Sequence, residues 1–270
     1  MKAIILSDNI SNNGLKGEWG LSILITYNNK NILLDVGSSD LFYQNGERLD
    51  VDIKTVDYAV LSHAHYDHSR GMREFFKQNT NAKFYVREGC EENCYCKYGI
   101  FRKYIGIPKG ILSEQRERII FAAHDYALMP GVTLIPHKGK ELKAIGKANH
   151  MYVREGRKFR PDGFTHEQSL VFDTSEGLVI FNSCSHGGVI QIIKEVQETF
   201  KGKKIKAYVG GFHIYNKSKA EVRELAQQIK DTGIETVYTG HCTGDKSFGV
   251  LKEVLGSSVK QFHVGLEMTF

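Results

Sequence analysis

The sequence predicts a mixed α/β (α+β) fold, and two observations support this prediction. In the carboxyl-terminal half, short apolar segments of strand character alternate with amphipathic segments of helical periodicity. Short motifs of histidine, cysteine and glycine each follow such a strand, where loops can converge on one edge of a sheet. The chain has 270 residues, of which 41% are hydrophobic and 25% charged, so it can bury one sizeable core.

The amino-terminal part is predicted to form strands and one helix. Aliphatic and β-branched residues dominate four segments, and Asn28-Asn29-Lys30-Asn31 supplies the turn between the first two. Met72, Phe75 and Phe76 have helical spacing. The predicted strands are residues 21–27, 32–37, 58–62 and 82–86.

The middle of the chain, from residue 87 to about residue 165, has weak periodicity and many glycine and charged residues. Long segments of this kind often shape a functional site. We therefore expect an insertion that covers the site. No linker composition marks the segment as a separate domain.

The remaining residues predict a regular alternation of strands and helices. The first two strands form a hairpin, the helices are amphipathic, and a last strand closes the chain. The predicted strands are residues 169–173, 177–181, 205–209, 236–238 and 261–270. The predicted helices are residues 189–200, 220–230 and 248–254.

The most specific motif is His63-Ala64-His65-Tyr66-Asp67-His68, directly after the predicted strand 58–62. Imidazole nitrogens and carboxylate oxygens are the ligands that zinc and its neighbours take at catalytic sites. The spacing lets His63 and His65 face one metal ion while Asp67 and His68 face a second. A chance cluster of titratable surface residues needs no such spacing, so we interpret this motif as a metal-binding loop.

Residues 62–71 form a motif that is specific for the metallo-β-lactamase superfamily. The chain resembles this superfamily over essentially its whole length. Three further motifs make it similar to the branch named for 7,8-dihydropterin-6-methyl-4-(β-D-ribofuranosyl)aminobenzene-5'-phosphate synthase. They are Cys184-Ser185-His186-Gly187-Gly188, Gly210-Gly211-Phe212-His213 and Gly240-His241-Cys242-Thr243-Gly244. The resemblance implies a four-layer αββα sandwich, a single domain over residues 1–270 with the insertion at about 87–165. A branch name is a poor guide to the reaction of one member.

The resemblance also implies roles for residues outside the loop. His186 is expected to complete the first metal site and His241 the second. Asp35 stands where the family keeps an aspartate that braces the metal loop, a sound role for a carboxylate beside metal ligands. A turn-forming aspartate before glycine is the alternative.

The chain departs from the common superfamily pattern at Cys184. Most members place an aspartate in this region, whose carboxylate bridges two metal ions. Cys184 is either a thiolate ligand, which would favour zinc or iron, or a small buried residue. His213 could donate to a substrate oxygen or act as general acid, and a structural role is the alternative. His166 stands where many relatives have a metal ligand, but the branch favours a surface or supporting role.

The ligand set implies one or two transition-metal ions, zinc first, with manganese or iron as alternatives. We expect hydrolysis of an anionic, phosphorylated small molecule by metal-activated water, with Asp67 binding metal and accepting the proton of the nucleophile. A segment of eight basic residues could supply a phosphate contact through Arg154 or Arg160. The alternatives are a transferase that joins a dihydropterin methyl diphosphate to an aminobenzene ribosyl phosphate, and a redox protein on the same fold.

Composition and charge limit the partners and the compartment. A formal net charge of +5 favours anionic small molecules and is too weak to indicate nucleic acid. No segment predicts a membrane span or a signal peptide, so we expect a cytoplasmic protein. Cys90, Cys94 and Cys96 are expected to be reduced thiols, with a metal or iron–sulfur centre as the alternative. The final strand could pair across a homodimer.

Overall fold

The computed structural model describes residues 1–12 and 14–270. Its Cα packing divides the chain into two compact units. The first unit comprises Met1–Ala123, Gly139–Glu167 and His263–Thr269, and the second comprises His124–Lys138, Gln168–Phe262 and Phe270.

The secondary structure alternates strands and helices along most of the chain. The strands are β1 (Lys2–Ser7), β2 (Ser22–Tyr27), β3 (Lys30–Leu34), β4 (Tyr58–Val60), β5 (Lys83–Arg87), β6 (Cys94–Tyr98), β7 (Phe101–Tyr104), β8 (Ile119–Ala122), β9 (Tyr126–Met129), β10 (Val132–Pro136), β11 (Met151–Glu155), β12 (Lys158–Pro161), β13 (Gln168–Thr174), β14 (Gly177–Phe181), β15 (Ile205–Val209), β16 (Thr236–Thr239), β17 (Val259–Gln261) and β18 (Glu267–Thr269). The helices are α1 (Leu41–Arg48), α2 (Tyr66–Ser69), α3 (Met72–Gln78), α4 (Ile111–Glu114), α5 (Leu142–Ala148), α6 (Val189–Thr199), α7 (Lys219–Asp231) and α8 (Asp245–Leu255).

The first unit is built on a seven-stranded sheet in the order β18-β1-β2-β3-β4-β5-β8. Strands β1, β2 and β3 are antiparallel, and β3, β4, β5 and β8 are parallel. The predicted turn between β2 and β3 is present, and Asn28 and Asn29 there have φ of 48° and 59°. Asparagine tolerates this left-handed region, which a tight hairpin turn requires. Phe75 and Phe84 are fully buried in the core that covers this sheet.

The first unit also contains a four-stranded antiparallel sheet in the order β12-β11-β6-β7. Its strands lie in the segment from about residue 87 to 165, for which the sequence predicted no elements. They are short and their side chains are mostly half-buried or exposed. Aromatic and charged residues occupy these strands, so the sequence lacks the simple alternation of apolar and polar residues that predicts a strand.

The second unit is built on a seven-stranded sheet in the order β17-β16-β15-β14-β13-β10-β9. The predicted hairpin is formed by β13 and β14, and β14 to β17 are parallel. The three predicted helices are present as α6, α7 and α8. Their inward residues, among them Ile192, Val222 and Leu251, are buried in one core. Helix α7 begins with a capping box, in which Ser218 and Glu221 satisfy each other's backbone N–H groups.

The predicted last strand, residues 261–270, is wrong in its extent. The structure has two short strands instead, β17 and β18, which belong to different sheets. Gly265 separates them with φ of 83°, and the Leu266 N–H donates to the His263 carbonyl in a turn. Gly265 adopts this conformation at low cost, so the chain turns between β17 and β18 instead of continuing as one strand.

Among the described residues, no helix is both long enough and apolar enough to cross a membrane.

Candidate metal centre

The histidine loop lies where parallel strands of the first unit end. Asp35 follows β3, and Ser62 and His63 follow β4, its parallel neighbour. The carboxyl ends of parallel strands lie at one edge of a sheet, and binding sites favour this edge. The fold therefore places the carboxylate of Asp35 beside the start of the loop.

Asp35 makes a buried set of hydrogen bonds with the loop. Its Oδ1 accepts from the Ser62 N–H at 2.7 Å, and its Oδ2 accepts from the Ser62 Oγ at 2.7 Å. The Nδ1 of His68 lies 2.7 Å from the same Oδ2, and both side chains are fully buried. Asp35 thus contacts both ends of the loop that the family resemblance predicted it to brace.

These bonds fix which ring nitrogen of each histidine carries its proton. A carboxylate accepts, so Nδ1 of His68 carries the proton and Nε2 keeps its lone pair. Ser62 Oγ donates to Asp35, so it accepts from Nδ1 of His63 at 2.8 Å. Both histidines thereby present an Nε2 lone pair, which is the form that binds a metal ion.

The ligand side chains of the loop are close together and buried. The rings of His63 and His65 have centroids 4.6 Å apart, and those of His63 and His68 lie 4.2 Å apart. Burial, assisted by neighbouring His166, lowers the pKa of His65 to about 3. Since a metal ion binds neutral imidazole, the donor set of this loop fits zinc, manganese or iron.

Trp19 is a neighbour of Asp67 that the sequence analysis did not identify. Its indole Nε1–H donates to Asp67 Oδ2 at 3.0 Å, across 48 residues of sequence. The indole is partly exposed, whereas Asp67 is 8% exposed. It is the single tryptophan of the chain, but nothing in the sequence places it beside the loop.

His166 is buried, which excludes the surface position and leaves the supporting role of the two alternatives that the branch favours. It is 1% exposed, accepts a hydrogen bond from the Ala64 N–H and contacts Asp162. The branch expectation of a supporting role agrees with these contacts. Asp162 lies four residues earlier in the sequence, but it was not predicted because such a pair occurs often by chance.

In the second unit, the other three motifs converge at the ends of neighbouring parallel strands. Cys184 follows β14, His213 follows β15 and His241 follows β16. Ligand atoms of Cys184, His186 and His213 all lie within 4.8 Å of one another, as do those of Cys184, His241 and Cys242. The structure thus brings together three predicted residues of this unit around Cys184.

Cys242 occupies the middle of this second cluster and was not assigned a role from the sequence. Its Sγ lies 3.4 Å from the Cys184 Sγ and accepts from the His213 N–H at 3.3 Å. Burial would raise the pKa of Cys242, but side-chain interactions with Cys184 and His213 and the charges of His241 and His213 hold it well below its usual value. A low-pKa thiol is suited to soft metal ions.

Two glycines permit the close approach at Cys242. A Cβ on Gly210, whose φ is 153°, would lie 1.7 Å from the Asn182 carbonyl oxygen. A Cβ on Gly211 would lie 2.6 Å from the Cys242 Sγ. The two glycines that the sequence analysis singled out are therefore required by packing beside the thiols.

Two buried polar atoms of the second unit have no hydrogen-bond partner among the described residues. They are the Oγ of Ser183 and the Nδ1 of His213. Buried polar groups are normally satisfied, so atoms of this kind are expected where a ligand or ion binds. A role for His213 toward a substrate agrees with this observation but stays a prediction.

The remaining predicted residues are two arginines and three cysteines of the middle segment. Arg154 and Arg160 are exposed on the four-stranded sheet, where Arg154 Nε donates to the Gly156 carbonyl and Arg160 faces Glu155 at 3.9 Å. Cys90 and Cys94 are buried and Cys96 is half-buried, all as free thiols. Burial raises the pKa of Cys90 and Cys94, which favours the predicted reduced thiols.

Comparisons with known proteins identify relatives that share this fold. The family model of the metallo-beta-lactamase superfamily matches residues 20–241. The 7,8-dihydropterin-6-methyl-4-(beta-D-ribofuranosyl)-aminobenzene-5'-phosphate synthase of Methanocaldococcus jannaschii is 25% identical over 268 residues, covering 93% of this chain and 90% of that protein. The crystal structure of Tm1679, a metal-dependent hydrolase of the beta-lactamase superfamily, superposes with a TM-score of 0.83 at 26% identity, covering 100% of this chain and 99% of that one. Zn²⁺-bound PqqB from Methylobacterium extorquens shares the fold, with a TM-score of 0.58 at 11% identity, covering 100% of both chains.

The chain belongs to the metallo-beta-lactamase superfamily. Its predicted fold class is thereby confirmed, and the predicted resemblance to the synthase branch agrees with the relative from Methanocaldococcus jannaschii. Family membership implies divalent metal binding, typically of zinc, by an enzyme. The individual ligand roles predicted for His186, His241 and Cys184 stay predictions.

Proposed function

We propose that this protein is a metal-dependent hydrolase that cleaves an anionic, phosphorylated small molecule. The observation that carries the proposal is the Asp35 network, which holds His63 and His68 in the tautomer that carries its proton on Nδ1. A structural cluster would need buried hydrogen bonds, but it would not need both imidazoles in the tautomer that binds metal.

A bound divalent metal ion would bring the pKa of water near about 7 and stabilise the anionic transition state. The protein contributes orientation and proton handling. Asp35 holds the ring of His68 through Nδ1, and Ser62 does the same for His63. Asp67, oriented by the indole of Trp19, is proposed to bind metal and to accept the proton of the attacking water.

The substrate is proposed to be anionic because the chain carries a net charge of +5. Guanidinium groups bind phosphate oxygens with two parallel hydrogen bonds, a role proposed here for Arg154 and Arg160. His213 is proposed to donate a proton to a substrate oxygen. We further propose a cytoplasmic protein, since all five cysteines are free thiols, that acts without nucleic acid or membrane partners. We also propose that the protein forms a homodimer.

A second candidate function is transfer rather than hydrolysis. It is favoured by the relative from Methanocaldococcus jannaschii, which is a synthase of a dihydropterin–aminobenzene ribosyl phosphate compound. In such a transfer, the aminobenzene ribosyl phosphate would form a bond to the methyl carbon of a dihydropterin methyl diphosphate and lose one proton, while the bond from that carbon to the diphosphate oxygen would break and release free diphosphate. The same basic residues and metal ligands would stabilise the departing diphosphate.

Both candidates can be tested on the purified protein reconstituted with zinc or manganese. Hydrolysis of p-nitrophenyl phosphate and of its bis-ester is measured by the release of p-nitrophenolate, with a chromogenic cephalosporin as a non-phosphate control. The transfer is measured separately, by mass spectrometry of the joined product from the dihydropterin diphosphate and the aminobenzene ribosyl phosphate.

The hydrolase proposal expects metal-dependent cleavage of a phosphate ester that is lost in His63→Asn. His150 is exposed, so His150→Asn is the matched control and should retain the activity. The joined product without ester cleavage would favour the transferase, and absence of both activities in metal-loaded protein would contradict both proposals.

A further inference from the structure

Four polar side chains of the first unit form a buried cluster that the proposed chemistry does not use fully. They are His65, Cys94, Asp162 and His166, and none is more than 4% exposed. One nitrogen, oxygen or sulfur atom of each lies within 4.8 Å of those of the other three. A carboxylate buried this deeply is tolerated only when it is paired and hydrogen-bonded, so the partners of Asp162 define the cluster.

The hydrogen bonds of His166 fix its tautomer. The Ala64 N–H donates to Nδ1 at 3.2 Å, which requires that nitrogen to be unprotonated. The proton of the neutral ring is therefore on Nε2, which lies 3.1 Å from Asp162 Oδ2 and donates to it. Asp162 Oδ1 in turn accepts from the Phe164 N–H at 2.7 Å.

Both oxygens of the carboxylate accept hydrogen bonds in this arrangement. Asp162 is thus a fixed acceptor, held by a backbone N–H on one oxygen and by an imidazole on the other.

This chain of bonds ends on the metal-binding loop. Ala64 is the residue between His63 and His65, so its hydrogen bond to His166 fixes the peptide that spaces these two histidines. The ring of His65 also lies against the cluster, with its centroid 5.3 Å from that of His166. Asp162 therefore acts on the loop through His166, whose other ring nitrogen accepts from the Ala64 N–H.

The same geometry argues against His166 as a metal ligand. A neutral histidine that binds a metal ion through Nε2 carries its proton on Nδ1. In this protein that proton would face the Ala64 N–H, another donor, and binding through Nδ1 would compete with the same hydrogen bond.

We propose that Asp162 and His166 are positioning residues, which hold His65 and the Ala64 peptide in the geometry that binds metal. The inference rests on the proposed function, because it needs the loop to bind a metal ion. It gives a role to Asp162, which directly follows β12 and was not identified from the sequence.

The test uses Asp162→Asn, His166→Ala and His166→Gln in the full-length protein. Affinities for Zn²⁺ and Co²⁺ are measured by competition with a chromophoric chelator, after removal of metal. The tautomer of His166 is read from the ¹⁵N shifts of its ring in the metal-free protein. Cys96→Ser, a half-buried thiol on the same strand as Cys94, is the matched control, and circular dichroism checks that each variant is folded.

Asp162→Asn keeps an oxygen for the Phe164 N–H but turns an amide N–H₂ toward the protonated Nε2 of His166. The ring should then exchange tautomer, lose the Ala64 hydrogen bond, and weaken metal binding by about tenfold to 100-fold. His166→Ala should weaken binding similarly. His166→Gln carries one acceptor for Ala64 and one donor for Asp162, so it should restore most of the wild-type affinity, and Cys96→Ser should leave it unchanged.

Wild-type affinity in Asp162→Asn and His166→Ala would overturn the inference while leaving the proposed function intact. Equal loss in His166→Gln and His166→Ala, with one metal equivalent fewer per chain, would also overturn it by making His166 a ligand. Failure of the wild-type protein to bind any metal ion would contradict the proposed function itself, and with it this inference.

Discussion

The substitution Asp35→Asn separates the contribution of this carboxylate to folding from its contribution to metal binding. Asp35 has φ of 60°, and asparagine tolerates this left-handed region, so the backbone is not strained by the change. The asparagine side chain keeps an acceptor for the Ser62 N–H and has the size of the native carboxylate. The principal change is that an amide N–H₂ can face Nδ1 of His68, which in the wild-type protein donates to Asp35.

Two responses of His68 are available, and both weaken metal binding. If the ring keeps its tautomer, two buried donors face each other, which costs about 1–3 kcal/mol of unfolding free energy. If the proton moves to Nε2, stability is largely kept, but the nitrogen that would bind metal is then protonated. We therefore expect metal affinity to fall by about tenfold to 100-fold, the usual cost of losing a partner of a metal ligand.

The assay measures zinc affinity and urea unfolding of the metal-free protein in parallel. Asp57→Asn is the matched control, because Asp57 pairs with exposed Lys30 and is not part of the Asp35 network. An exposed pair of this kind contributes little to stability, so this variant should bind zinc as the wild type does. The reasoning is refuted if Asp35→Asn binds zinc with wild-type affinity.

Other predictions test single contacts. Trp19→Phe removes the indole N–H that donates to Asp67 but keeps an aromatic ring. Because the site is partly exposed, we expect metal affinity to fall by less than about tenfold. Titration with zinc measures this change. Gly211→Ala places a Cβ 2.6 Å from the Cys242 Sγ and should lower unfolding free energy by about 1–3 kcal/mol. Its control, Gly249→Ala in α8, meets no atom within 4 Å and should be neutral or stabilising in the same thermal unfolding experiment. Glu195 contacts His137 and the Lys138 N–H; burial would raise its pKa, but His137 and these hydrogen bonds hold it below 4.5. Since the unfolded chain binds this proton more readily, the stability that Glu195 contributes is present above the unfolded pKa and is lost as pH falls through the folded one. Urea unfolding of Glu195→Gln should therefore show a weaker loss of stability below pH 4.5 than the wild type, and an identical pH profile would contradict the assignment.

The elements of the second half could be predicted because they have strong periodicity. Helices α6, α7 and α8 each bury a continuous apolar stripe, and β14, β15 and β16 are apolar segments bounded by turn residues. The four-stranded sheet was not predictable in this way, because its strands bury few apolar side chains and their pairing joins β6 with β11 across more than 50 residues.

The histidine loop could be identified because its ligands are contiguous in the sequence. The neighbours that hold them are not contiguous. Ala64 and His166 are 102 residues apart, and Asp35 and His68 are 33 apart. Asp35 was found only through the family resemblance, whereas Asp162, Trp19 and Cys242 required the tertiary structure, since no local pattern distinguishes them from residues at turns or in the core.

The most direct test of the central claim is the metal content of anaerobically purified protein, with acid-labile sulfide determined on the same sample. We expect one or two equivalents of zinc, manganese or iron per chain without sulfide, reduced in His63→Asn and retained in the control His150→Asn. Iron with acid-labile sulfide would point to Cys90, Cys94 and Cys96 and contradict the hydrolase. Absence of metal even after reconstitution would contradict the metal centre altogether.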